Sequence, residues 1–356
     1  MFSSLRLRKA ALWAAPIALA TLLMGCESGD DGTDGPASTP IASITYDAVF
    51  VLNGAESSIS VINTTTQAVT GTIELSGVNY IHHGYLSPDR SKLVVSAPGY
   101  DLSMGHGDDG MQHGVHGTVM VMDAHTGAML ASCQLPAPNH NVTPSPDGTE
   151  LWTSQMTMPG SVLVLDAESL DILAEIPVGN MPAEVTFSPD GMRAFVANTG
   201  SNTVTIIDVA SRAVLETLPV GEDPVGAWPG ANGMMYVDCE HSMTIMVMDA
   251  MSMTMHHTYN LGFTPGMAAL APNGELWVTD ADHGQVVFFN ADADDRLGET
   301  PTGMGAHAIA FDGAGKAYIS NQGAGTVCVV DVNSHAVLHT INVGNTPNGV
   351  VFRAQN

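Results

Sequence analysis

The fold is decided by residues 178 to 221, VGNMPAEVTFSPDGMRAFVANTGSNTVTIIDVASRAVLETLPVG. Four short apolar runs follow one another here, each closed by turn residues. Ala183 to Phe187 ends at Ser188-Pro189-Asp190-Gly191, and Ala194 to Ala197 ends at Asn198-Thr199-Gly200-Ser201-Asn202. Thr203 to Ile207 stops at Asp208, and Ala213 to Pro219 completes the set. Runs of β-branched residues at period two, bounded by Pro, Asp, Asn and Gly, are strands. Four within some forty residues make one antiparallel sheet.

The third run, with its closing Asp or Asn, recurs along the chain. It reads SISVIN to Asn63, TVMVMD to Asp123, SVLVLD to Asp166, TVTIID to Asp208, TIMVMD to Asp249, QVVFFN to Asn290 and TVCVVD to Asp331. The intervals are 60, 43, 42, 41, 41 and 41 residues. Four strands at a fixed period near 41 specify a β-propeller, and seven occurrences specify seven blades. The ends agree. The first unit opens on its second strand, Ala48 to Leu52, and the chain finishes on a surplus first strand, Gly349 to Phe352. Pairing the two closes the ring and leaves no open edge.

The unit, with second strands such as Leu276-Trp277-Val278-Thr279-Asp280 and third strands such as Asn202-Thr203-Val204-Thr205-Ile206-Ile207-Asp208, resembles the YVTN family of bacterial surface propellers. The resemblance runs from about residue 45 to 356. It implies the all-β, seven-bladed fold and leaves the activity open, because propellers host many unrelated chemistries.

Residues 1 to 44 differ in kind. Arg6, Arg8 and Lys9 precede an apolar run from Ala10 to Met24 that ends Leu23-Met24-Gly25-Cys26. This reads as an export signal over 1–25, and its ending resembles the bacterial lipobox, in which Cys26 is lipidated. Residues 26–44 are then a lipidated cysteine and a flexible tether, with the propeller over 45–356. Glu27 is not the aspartate associated with inner-membrane retention, so an outer-membrane anchor, periplasmic or surface-facing, is expected.

Ten basic against 36 acidic residues give a formal charge of −26, and loss of the three leader cations takes this to −29. Such a field repels phosphate backbones, so nucleic acid is excluded as a partner. Beyond Cys26 stand Cys133, Cys239 and Cys328, with no CxxC or CxxCH. Thiolate zinc, a redox dithiol and covalently held haem c are therefore not expected, and neither is a nucleotide cofactor.

Aligned on the blade junctions, the place of Ala183 is taken by His82, His140, Val225, Gly266, His307 and Asn348 in the other blades. Three imidazoles thus share one column at the start of the channel-lining strand, with His83 directly after His82. The long 60-residue interval falls in blade 2 as a Gly-rich loop carrying Met104, His106, Met111, His113 and His116. Its chemistry suits a metal, and imidazole combined with thioether selects copper, with zinc or nickel as the all-histidine alternatives. The Ser-Pro-Asp-Gly tracts at Ser87, Ser145 and Ser188 (Ser-Pro-Asp-Arg at Ser87) read as turns, not as nucleophile elbows.

The expected function is binding rather than turnover by a monomeric, lipid-anchored propeller. Copper would be held by His82, His140 and His307 at the funnel mouth, with His83 beside them and the 104–116 loop closing over or recruiting the ion. Two other readings stand beside this. One is a metal-free surface scaffold for a protein or glycan partner. The other is a redox subunit, since a histidine-lined propeller mouth resembles those of nitrous oxide reductase and cytochrome cd1 nitrite reductase. This chain lacks the cupredoxin domain and haem motifs through which electrons enter those enzymes.

Overall fold

The computed structural model describes residues 35–103, 114–293 and 295–355. Seven antiparallel sheets follow one another in chain order, each four strands deep except the first, which has five. The inner, channel-lining strands are Gly84–Leu86 (blade 2), Val142–Pro144 (3), Pro182–Phe187 (4), Pro224–Pro229 (5), Pro265–Leu270 (6), Ala306–Phe311 (7) and Pro347–Arg353 (1). The chain is a seven-bladed β-propeller.

Closure occurs where the repeat count requires it. Pro347–Arg353 pairs antiparallel with Ala48–Asn53, with Ala48 opposite Arg353 and Phe50 opposite Val351. The Arg353 guanidinium is buried and donates to Ile44 O at 3.3 Å. Blade 1 thereby joins both ends of the described chain in one sheet.

One boundary is corrected. The tether was expected to run to residue 44, but Ala37–Thr39 forms a fifth strand on the outer edge of blade 1, with Ala37 opposite Ser76. Ile41 packs on the core and Ile44 is buried within it. Two isoleucines in a polar tract suffice, because the exposed edge strand supplies the backbone partners. The leader and Cys26 lie outside the described residues, as do Met104, His106, Met111 and His113. Among the described residues no helix is long and apolar enough to cross a membrane.

The second and third strands of each blade are buried almost throughout, whereas fourth strands are largely exposed, as in Val214–Pro219. The core therefore lies between blades. Trp152 and Trp277 are fully buried there, with their indole N–H groups donating to Glu150 (2.9 Å) and Glu275 (3.1 Å). The Ser-Pro-Asp tracts are turns, as read. Ser188 Oγ donates to Asp190 at 2.6 Å, and Ser145 and Ser87 do the same to Asp147 and Asp89. These bonds hold all three carboxyls below the usual range, Asp89 at about 2.

Candidate metal centre

Several inner strands, including that of Glu184, share a local irregularity at their start. In blade 4 Pro182 pairs with Asn198 and Val185 with Val196, so Ala183 and Glu184 together face the single residue Ala197. Blade 7 does the same with His307 and Ala308, between the Ala306–Asn321 and Ile309–Ile319 pairs. A bulge breaks the alternation of side chains and re-aims them. Two successive residues can then serve the channel where a regular strand would give one.

A hydroxyl on the second strand fixes the start of the next blade's inner strand. Ser96 Oγ donates to His140 O at 2.9 Å, Thr279 Oγ1 to His307 O at 2.6 Å and Ser320 Oγ to Asn348 O at 2.8 Å. The His140 and His307 backbones are thus held by side chains of the preceding blade, which pre-orients these imidazoles.

Three of the predicted residues come together. His82, His83 and His140 are all buried, and their ligand-capable atoms lie within 4.8 Å of one another. The His82 ring stands edge-on to His83 (centroids 4.5 Å) and to His140 (4.6 Å), while His83 and His140 stack at 5.2 Å. His307 borders the group, its ring 5.9 Å from those of both His82 and His83. The column read from the sequence is therefore a real constellation, but His83 belongs to its centre and His307 to its margin.

The sequence reading missed the carboxylate. Glu184 is completely buried, with Oε1 3.1 Å from His83 Nε2 and 3.3 Å from His140 Nδ1. Its Oε2 accepts from the Tyr85 hydroxyl at 3.0 Å and from Asn141 Nδ2 at 3.2 Å. Burial, and then the charge of Glu184, push the Tyr85 phenol well above its ordinary range. A signal existed. The column after the histidines reads His83, Asn141, Glu184, Gly226, Met267, Ala308 and Gly349, with one acid among them. Asp238 was also missed. It takes the place of the second-strand hydroxyl in blade 5 and accepts from Trp228 Nε1 (2.6 Å) and Gly226 N (3.1 Å). Burial, then Glu240 and Glu184, raise its carboxyl well above the usual carboxylate range.

Met156 and Met181 pack with Leu102 and Tyr100 in an apolar cluster, and Met304 is exposed. Cys239 and Cys328 are free thiols buried in the core, and burial pushes them up to about 12 and about 11. Core packing accounts for these groups, as methionine and free cysteine commonly serve as fillers. His116 bonds Leu135 O through Nδ1 at 3.0 Å, and His283 bonds Asp280 at 2.9 Å. Neither is among the three clustered histidines. The donor set visible among the described residues is imidazole and carboxylate.

Beside the cluster, a cavity of about 290 Å³ continues along the inner strands towards their far ends. His83 and Tyr85 stand at its polar end, and Trp228, Met267, Leu270 and Phe311 form its walls.

No protein-family profile matches the chain, and no curated protein matches it. Solved structures do. The fold is similar to that of the periplasmic gluconolactonase PpgL of Pseudomonas aeruginosa, with TM-score 0.70 and 20% identity over 87% of this chain and 99% of that one. It is also similar to dihydro-heme d1 dehydrogenase NirN in complex with DHE, with TM-score 0.62 and 13% identity over 87% and 76%. Hydrazine synthase of Kuenenia stuttgartiensis gives 0.60 and 18% over 77% and 95%. At such identities the likeness is one of fold. The chain is a seven-bladed propeller, and its chemistry must be read from its own residues.

Proposed function

We propose that this chain is an extracytoplasmic metal-binding propeller whose centre is formed by His82, His83 and His140, with Glu184 as the charge partner. The observation that carries the reading is the convergence of three buried imidazoles, their ligand atoms within 4.8 Å, on one side of the channel. Neutral imidazole is the commonest protein ligand for transition metals. A buried divalent ion also needs negative charge nearby, and Glu184 supplies it without solvent. Among divalent metals, nitrogen donors favour copper most strongly, so copper is the ion assigned, with zinc as its competitor.

The basic and then apolar leader ending at Cys26 supports export and lipid anchoring, to the outer membrane given Glu27. The YVTN-like junctions support a place among bacterial surface propellers. The test is elemental analysis of protein isolated without chelator, followed by copper titration. The reading predicts one copper per chain. No copper as isolated and no stoichiometric uptake on titration would overturn it.

A further inference from the structure

We propose that the cavity beside the imidazole cluster is a ligand site for a small, uncharged, ring-sized organic molecule carrying one polar group, such as a phenol. The proposal deepens the metal-centre reading and rests on it only for what would happen to the ligand, since the cavity is walled by protein.

The lining decides the ligand class. His83, Gly84 and Tyr85 come from blade 2, Trp228 and Pro229 from blade 5, Met267 to Leu270 from blade 6 and Phe311 from blade 7. No Lys, Arg, Asp or Glu is among the lining residues. In the metal-free protein an anion entering would lose its hydration with no cation among the lining residues to receive it, and a cation would meet no carboxylate among them, so charge is rejected. A sugar-like molecule is rejected as well, because apart from the backbone only His83 and Tyr85 offer strong hydrogen-bonding groups. At about 290 Å³ the space suits one ring and stands at the small end of ligand pockets.

The walls are also pre-formed. Trp228 is 6% exposed, and its indole N–H donates to the buried Asp238 at 2.6 Å, which fixes the ring plane. The ring lies against Gly226, where any Cβ would come within 2.5 Å of indole carbons. Glycine at that place and Asp238 behind it therefore belong to the cavity's design. The Tyr85 hydroxyl is held by Glu184 and the His83 ring stands 6.4 Å from Trp228, so the polar groups border the apolar wall. A bound ring would direct its hydroxyl towards His83 and the metal centre.

The experiment is 19F NMR titration of the full chain, metal-free and copper-loaded, with 4-fluorophenol, 4-fluorobenzoate and 4-fluorobenzylamine, and with glucono-δ-lactone as competitor. The phenol is expected to bind saturably with Kd on the order of 1 mM. In the metal-free protein the anion and the cation should bind at least about tenfold more weakly, and the lactone should not compete. Ala269→Phe adds bulk at the cavity wall and should weaken the phenol about tenfold or more, and Trp228→Leu should weaken it about threefold, each at unchanged circular dichroism. If one variant misfolds, the other decides. Absence of saturable binding in both metal states, equal binding of all three probes, or indifference to the variants overturns the proposal. Copper content is read on the same samples. Phenol binding without copper uptake keeps the cavity and rejects the metal reading, and copper uptake without phenol binding does the reverse.

Discussion

Blades 2 to 4 and blades 5 to 7 build the same inner strand from opposite materials. The first arc places His82, His83, Tyr85, His140, Asn141 and Glu184 in the channel wall, and the second places Val225, Gly226, Trp228, Gly266, Met267 and Ala308 at the matching places. The two arcs share the fold but not every backbone detail, since the bulge at the strand start occurs in blade 4 on one side and in blades 5, 6 and 7 on the other, and the inner strands of blades 2 and 3 are shorter. The propeller therefore supplies geometry and the side chains supply chemistry. Apolar residues of one arc, Trp228, Met267 and Ala308 among them, line the cavity, and the large polar residues of the other converge on one another. His307 is the exception, an imidazole on the apolar arc, and it sits at the edge of the cluster.

That contrast can be broken in order of effect. Replacing His82, His83 and His140 together by Ala should abolish stoichiometric copper binding, a loss of at least about 1,000-fold in affinity. His307→Ala should change it by less than about threefold if the opposite arc contributes only packing. An equal loss from His307→Ala would place the centre between the two arcs instead. Glu184→Gln keeps the shape and removes the charge, so the fold should persist while copper affinity falls about tenfold to 100-fold. Both quantities are read by calorimetry, and an unchanged affinity would make Glu184 a purely structural group.

Smaller effects belong to the rim, away from both arcs. Asp89, Asp147 and Asp190 are held low first by their Ser hydroxyls, and Asp166, Asp249 and Asp331 first by turn N–H groups. Each is a carboxyl whose folded value lies below its unfolded one. The stability it contributes is complete above the unfolded value and is lost as pH falls through the folded value. The melting temperature should therefore hold steady above about pH 5 from these groups and decline from about pH 4 towards pH 2. A melting temperature flat across that interval would contradict the turn assignment. Finally, Cys239 and Cys328 should react with a thiol reagent at least about 100-fold more slowly in the native protein than in denaturant. Fast labelling would show the core to be looser than its packing implies.

The ring was legible because its signals are local and repeated. The spacing of Asn63, Asp123, Asp166, Asp208, Asp249, Asn290 and Asp331 reports the blade period directly, and each shortfall at one end matches a surplus at the other. The site was half legible. Aligning blade junctions brought out His82, His140 and His307, because the ring converts a column into neighbours. Glu184 stayed hidden because it lies within an apolar strand, Pro182–Phe187, where a lone acid reads as one solvated residue of an alternating run. Only the bulge, a feature of pairing rather than of composition, turns it into the channel. The strand at Ala37–Thr39 was missed for a related reason, since its partner edge is remote in sequence. The expected sulfur donors, Met104 and Met111, lie outside the described residues, and among those described Met156 is packed in an apolar cluster.

The account depends on a single ion held by blades 2 and 3, and anomalous diffraction at the copper edge from copper-loaded crystals tests it most directly. The prediction is one strong peak with ring nitrogens of His82, His83 and His140 at about 2 Å. A peak held by other residues, or none at full copper loading, would contradict it.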